Sequence, residues 1–126
     1  MSPSRTFYAW LRVVLYAAFI FYLSSKSHPI PFFEAFEKNH LDWILHGVEY
    51  GILGFLLVVA LASTFRTPTL LLPLVVSLWL GTVYAFSDEW HQSFVPGRDS
   101  SIYDVNADVV GLLVGSCLKA NRLRKS

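Results

Sequence analysis

The chain has 126 residues, 54% of them apolar, with a mean hydropathy of +0.47 and a formal net charge of +1. A soluble domain of this size would need far more polar surface, so that class is excluded. The near-neutral charge also gives no footprint of a nucleic-acid partner. What remains is one all-α, polytopic membrane domain over residues 1–126.

Four runs approach the length that crosses about 30 Å of hydrocarbon at about 1.5 Å per helical residue. They cover residues 7–24, 41–63, 70–90 and 104–119 approximately. The first is read as a retained helix rather than a signal peptide. Arg12 lies early in it, and the exit Ser24-Ser25-Lys26 lacks a small-x-small cleavage pattern. The fourth run reaches only about 24 Å, so its outer end is expected to stop below the interface, in protein or water. It contains the single cysteine, Cys117, which has no disulfide partner and reads as a small packing residue.

Charge sets the expected orientation. Seven basic residues (Arg5, Arg12, Arg66, Lys119, Arg122, Arg124, Lys125) fall on the side of the termini and three (Lys26, Lys38, Arg98) on the other. The positive-inside bias therefore predicts cytoplasmic termini in a bacterial cytoplasmic membrane, with residues near 25–40 and 91–103 outside. Trp43 and Trp90 then lie near the outer interface and Trp10 near the inner one. All nine acids fall in the outer connections or the outer halves of the last three spans. An unpaired carboxylate within a span costs roughly 2.5–3.5 kcal/mol on insertion scales, so this gathering predicts a shared, outward-facing polar pocket. Glu34, Glu37 and Asp99 read as interfacial ends, whereas Glu49 and Asp108 lie deeper.

On the second helix Asp42, His46, Glu49 and Tyr50 share one face, with Gly47 and Gly51 beside them as a step that admits another helix closely. On the third, Asp88, His91 and Gln92 share a face, while Glu89 points about 100° away. On the fourth, Asp104 and Asp108 are one turn apart, and Gly111 and Gly115 continue the stripe. Between the third and fourth, Val95-Pro96-Gly97-Arg98 reads as a turn that returns Arg98 toward the carboxylates. In the first outer connection, His28 and His40 read as ordinary surface residues. Pro29 and Pro31 with Phe32, Phe33 and Phe36 suggest a short amphipathic segment on the outer leaflet, or a plain hydrophobic loop.

These blocks resemble a known family. D-x-x-x-H at Asp42–His46, an aromatic-glycine run at Tyr50 and Gly54, D-E-x-x-Q-x-x-x-P-G-R at Asp88–Arg98 and an acidic pair leading to Gly111 look like the VanZ-like membrane proteins. The resemblance runs from Leu23 to Gly115. It implies a small bacterial four-helix membrane protein, in a family some of whose members are associated with resistance to glycopeptides, chiefly teicoplanin. Two positions depart from the pattern. Asp108 stands where the family usually carries asparagine, and Glu49 is an added acid, so the pocket either takes more cation or keeps a proton.

The residues support several readings. The first is a protein acting on an anionic lipid or lipid-linked envelope precursor at the outer face. In it Asp42, His46, Asp88, Glu89, His91 and Asp104 supply acid-base groups, and Gln92, Arg98, Tyr50 and Asp108 bind the substrate. Arg98 offers the forked geometry that takes phosphate or carboxylate by two parallel contacts. Asp42, His46, Asp88, Asp104 and Asp108 are also candidate ligands for a divalent metal, although no spacing among them is diagnostic. The second is a small proton-coupled transporter with Glu49 as its proton site. Polar groups on one side only, with featureless inner halves, argue against it. The third is a non-catalytic membrane binding protein that masks a surface target. Against all three stands an ion-paired, hydrogen-bonded plug with a purely structural role.

Overall fold

The computed structural model describes residues 2–27, 31 and 41–126. Among them are four helices and no strand: α1 Pro3–Ser24, α2 Asp42–Phe65, α3 Leu71–Gln92 and α4 Ile102–Lys125. Most of the first outer connection, with His28, Pro29, Phe32, Phe33, Phe36 and His40, lies outside the described residues.

Several of the helix ends have a local cause. Pro3 opens α1, where its missing N–H costs nothing and its fixed φ suits the first turn. Pro73 is tolerated in α3 for the same reason, because it sits within the first turn. Arg66 ends α2 in the left-handed region at φ 50°, its N–H bonded back to the Ala62 carbonyl. Ser101 caps α4, its hydroxyl accepting the Tyr103 N–H at 3.2 Å.

The helices alternate in direction. Trp10 Nε1 donates to Thr64 Oγ1 at 2.8 Å and Thr6 Oγ1 to the Ser63 carbonyl at 3.3 Å, tying the start of α1 to the end of α2. At the opposite end, Ser27 Oγ donates to the Pro96 carbonyl at 2.5 Å, tying the exit of α1 to the exit of α3. One end of the bundle therefore gathers the exits of α1 and α3 and the entrances of α2 and α4.

The apolar pattern matches a bilayer rather than water. Phe7, Leu15, Val75, Trp79, Val83 and Val110 stand exposed around the bundle, while Ile20, Tyr50, Leu57, Val58 and Leu112 fill its interior. α1, α2 and α3 are each long and apolar enough to cross a membrane. α4 is less apolar because it carries Asp104, Asn106 and Asp108 and the polar residues from Lys119 onward; the two acids are buried against the other helices, while Val110, Leu113, Val114 and Leu118 stay exposed.

α4 differs from its expected span. It runs 24 residues, about 36 Å, where the hydropathy pattern gave 104–119 and about 24 Å. Hydropathy marks where a helix leaves the apolar layer, not where its hydrogen-bond ladder stops. The added residues, among them Arg122, Arg124 and Lys125, form helix readily and favour a helix C-terminus. Lys119 and Arg122 also place their charges over the Phe55 ring, at 4.9 and 5.9 Å.

α2 packs most extensively against α4. The glycine steps meet directly: a Cβ added at Gly111 would overlap the Gly47 carbonyl, and one at Gly115 the Gly51 carbonyl. Backbone touches backbone along this seam, the arrangement that small residues allow in a membrane. Deeper, Ser77 Oγ and Ser116 Oγ lie 3.0 Å apart and link α3 to α4 in the apolar interior. The close α2–α4 approach is what brings the polar faces of these two helices within bonding distance at the gathered end.

Candidate functional site

At that end lies a polar cavity of about 270 Å³, lined by Asp42 and His46 of α2, Gln92 of α3, Gly97, Arg98 and Asp99 of the turn, and Asp104 of α4. The turn forms as its sequence dictates. The Arg98 N–H bonds to the Val95 carbonyl at 3.2 Å, Pro96 fixes the second position, and Gly97 takes φ 79°, which a side chain rarely tolerates. This returns Arg98 to the bundle, where a guanidinium N–H donates to Gln92 Oε1 at 3.1 Å.

Gln92 is the hub of the first network. Its amide nitrogen donates to Asp88 Oδ2 at 3.2 Å and Ser24 Oγ at 3.3 Å, while its oxygen accepts from Arg98. That orientation follows from the neighbours, since Arg can only donate and the carboxylate only accept. Tyr50, fully buried, donates its hydroxyl to the same Asp88 oxygen at 3.1 Å. Three helices and the turn are thereby joined through one amide and one carboxylate.

The second network centres on His46. Its Nδ1 lies 2.9 Å from Oδ1 of the fully buried Asp108, and its Nε2 lies 4.0 Å from Asp104 Oδ2. One ring nitrogen is thus fixed by a buried carboxylate while the other faces a carboxylate of the cavity wall. Such an arrangement holds an imidazole in one orientation for proton transfer.

Of the two neighbours of Trp90, one keeps its expected direction and one departs from it. Glu89 points off the Asp88 face as its spacing requires: it is buried, and its Oε1 accepts the Ser101 N–H at the start of α4, a favourable place for a carboxylate. His91 turns to α1 instead, stacking on Phe21 with ring centroids 4.5 Å apart and meeting Ser25 Oγ at 3.0 Å. Ser25 Oγ itself donates to the Phe21 carbonyl at 2.7 Å, so His91 Nε2 is the donor in that pair. Neither Glu89 nor His91 lines the cavity, and neither does Glu49, although its backbone carbonyl accepts from Tyr16 at 3.0 Å.

The exits of α1 and α3 also bring in groups that the motifs did not single out. Ser24 supports Gln92, Ser27 supports the turn, and Asp99 forms part of the cavity wall. The only sequence signal for Ser24 was a polar pair ending an apolar run.

The candidate metal ligands separate. Asp88 serves Tyr50 and Gln92, while His46, Asp104 and Asp108 form the other network, and Asp42 lies on the wall. Among the described residues no group of three or more His, Cys, Asp or Glu side chains is arranged to hold a metal ion.

Fold and cavity together define a small multi-pass helical membrane protein with a polar site at one end of the bundle. The family model described as VanZ/LLP1 matches residues 6–120. The chain belongs to the VanZ-like family. No curated protein and no solved structure is significantly similar to it.

Proposed function

We propose that the chain binds the headgroup of a membrane lipid or lipid-linked envelope precursor at the outer face of the bacterial cytoplasmic membrane, and that this contributes to glycopeptide tolerance. The observation that carries the reading is the cavity itself. Polar side chains from three helices and a turn converge at one end of a bundle that is otherwise apolar. Burial of Asp88, Glu89 and Asp108 adds support. Each has one carboxylate oxygen without a hydrogen-bond partner among the described residues, a cost that stability alone does not explain.

The wall narrows the ligand class. Asp42, Asp99 and Asp104 face Arg98 and His46, so a purely anionic headgroup would meet like charge. A headgroup carrying an ammonium beside its phosphate meets both signs, with the phosphate at Arg98. Arg98→Lys tests this. Lysine keeps the charge but loses the planar fork. The variant should insert at wild-type abundance yet lose teicoplanin tolerance and lipid co-purification. Full function at that abundance would overturn the placing of the phosphate at Arg98.

The His46–Asp108 pair favours a second reading, in which the bound headgroup also undergoes proton transfer at His46 Nε2. Binding without turnover by the wild-type protein would leave only the first.

The outward orientation rests on the seven-to-three division of basic residues. In a Cys117→Ala background, an impermeant thiol reagent should label Ser100→Cys and leave Thr67→Cys untouched. The reverse pattern would place the cavity in the cytoplasm and remove the envelope ligand.

A further inference from the structure

A second concavity runs down the membrane-facing side of the α2–α4 seam. Its volume is about 810 Å³, and its lining is apolar apart from Asn106. It extends from Trp43 to Phe55 on α2 and from Tyr103 to Leu118 on α4, a length of about 20 Å. A single leaflet offers about 15 Å of hydrocarbon, half of the roughly 30 Å core. The groove therefore has the reach of one lipid tail and starts at the headgroup level. Trp43 and Tyr103, 56% and 78% exposed, flank its mouth, as interfacial rings do.

The mouth lies at the depth of the polar cavity. Trp43 and Tyr103 line the groove, and their chain neighbours Asp42 and Asp104 line the cavity. The two helices thus present a polar face to one side of the seam and an apolar channel to the other, at the same height. We propose that the groove holds an acyl chain of the same lipid whose headgroup occupies the cavity, an inference that rests on the headgroup reading above. A second copy of the chain is the weaker occupant. The glycine steps that would admit a foreign helix closely are already used between α2 and α4.

The test uses the full-length protein in phosphatidylcholine vesicles containing a small fraction of phosphatidylethanolamine with a diazirine in one acyl chain. Irradiation is followed by peptide mapping of the adducts. Residues 48–52 and 110–114 should carry about threefold more adduct per exposed residue than residues 75–83 of α3, a preference worth about 0.6 kcal/mol. Val110→Trp, which fills the groove, should abolish the preference. Val83→Trp, at an equally exposed position on α3, should not. Arg98→Lys should reduce it, because the tail is held by its own headgroup. Equal labelling on both faces of the wild-type protein would overturn the groove and leave the headgroup reading to its separate test. Enrichment indifferent to Arg98→Lys, and equally strong with a diazirine-bearing diacylglycerol, would break the link between groove and headgroup. Covalent dimers joined through residues 48–52 would assign the groove to a second copy.

Discussion

Gly115→Leu should abolish the folded bundle, while Gly47→Ala should leave it intact. At Gly115 an added Cβ meets the carbonyl oxygen, carbonyl carbon and Cα of Gly51, all of them backbone. No rotamer relieves such an overlap, so α2 and α4 must separate, and the rest of the leucine side chain separates them further. Ordinary overpacking costs about 1–3 kcal/mol because neighbours can shift. Here the neighbour is a helix backbone, so the loss should exceed that range. At Gly47 the nearest atom to a new Cβ is the Ala107 carbonyl oxygen at 3.8 Å, an ordinary contact. Thermal denaturation of the purified protein in detergent separates the two. A Gly115→Leu melting temperature equal to wild type would show that the seam is not the bond between these helices. The expected loss reaches the site as well, since His46 of α2 meets Asp108 and Asp104 across the same seam.

His46→Ala should be the most damaging single change within the cavity, and Asp108→Asn should be mild for folding. Removing the imidazole leaves Asp108, with 0% exposure, holding no bonded oxygen among the described residues. Breaking a buried ionic pair from one side costs about 3–5 kcal/mol. Asparagine at 108 keeps an oxygen for the imidazole N–H without the charge. The pair should therefore show strong coupling. His46→Ala with Asp108→Ala together should cost less than the sum of the two single changes, by about 1–3 kcal/mol. Additive losses in denaturant titrations would mean that the two side chains do not depend on each other. Asp108→Asn also bears on mechanism: if it folds fully and loses tolerance, the charge behind His46 matters to function rather than to packing.

Much of the site was legible because helical spacing carries it. Asp42 and His46 were expected on one face of α2, and Asp104 and Asp108 one turn apart on α4. The α2 pair lines the cavity with Asp104, and Asp108 backs His46. The turn was legible too, since Pro96 and Gly97 each have one physical reason to stand where they do. Periodicity fixes angles about one helix axis but says nothing about which neighbour fills each direction. Glu89 and His91 show this. The first points to the start of α4 and the second to α1, according to where those helices lie. Spacing along α3 contains neither fact.

By itself the sequence determined that the chain is an all-helical membrane protein with its acids at one end and most of its basic residues at the other. Those properties follow from transfer energies summed residue by residue, which need no knowledge of contacts. Only the tertiary structure decided that Gly47 and Gly51 meet Gly111 and Gly115, and that the polar groups divide into one network around Gln92 and another around His46. It also decided that α4 continues to Lys125. Each of these depends on which backbone approaches which, and on hydrogen bonds that persist past the edge of the apolar layer, and neither is written in local composition.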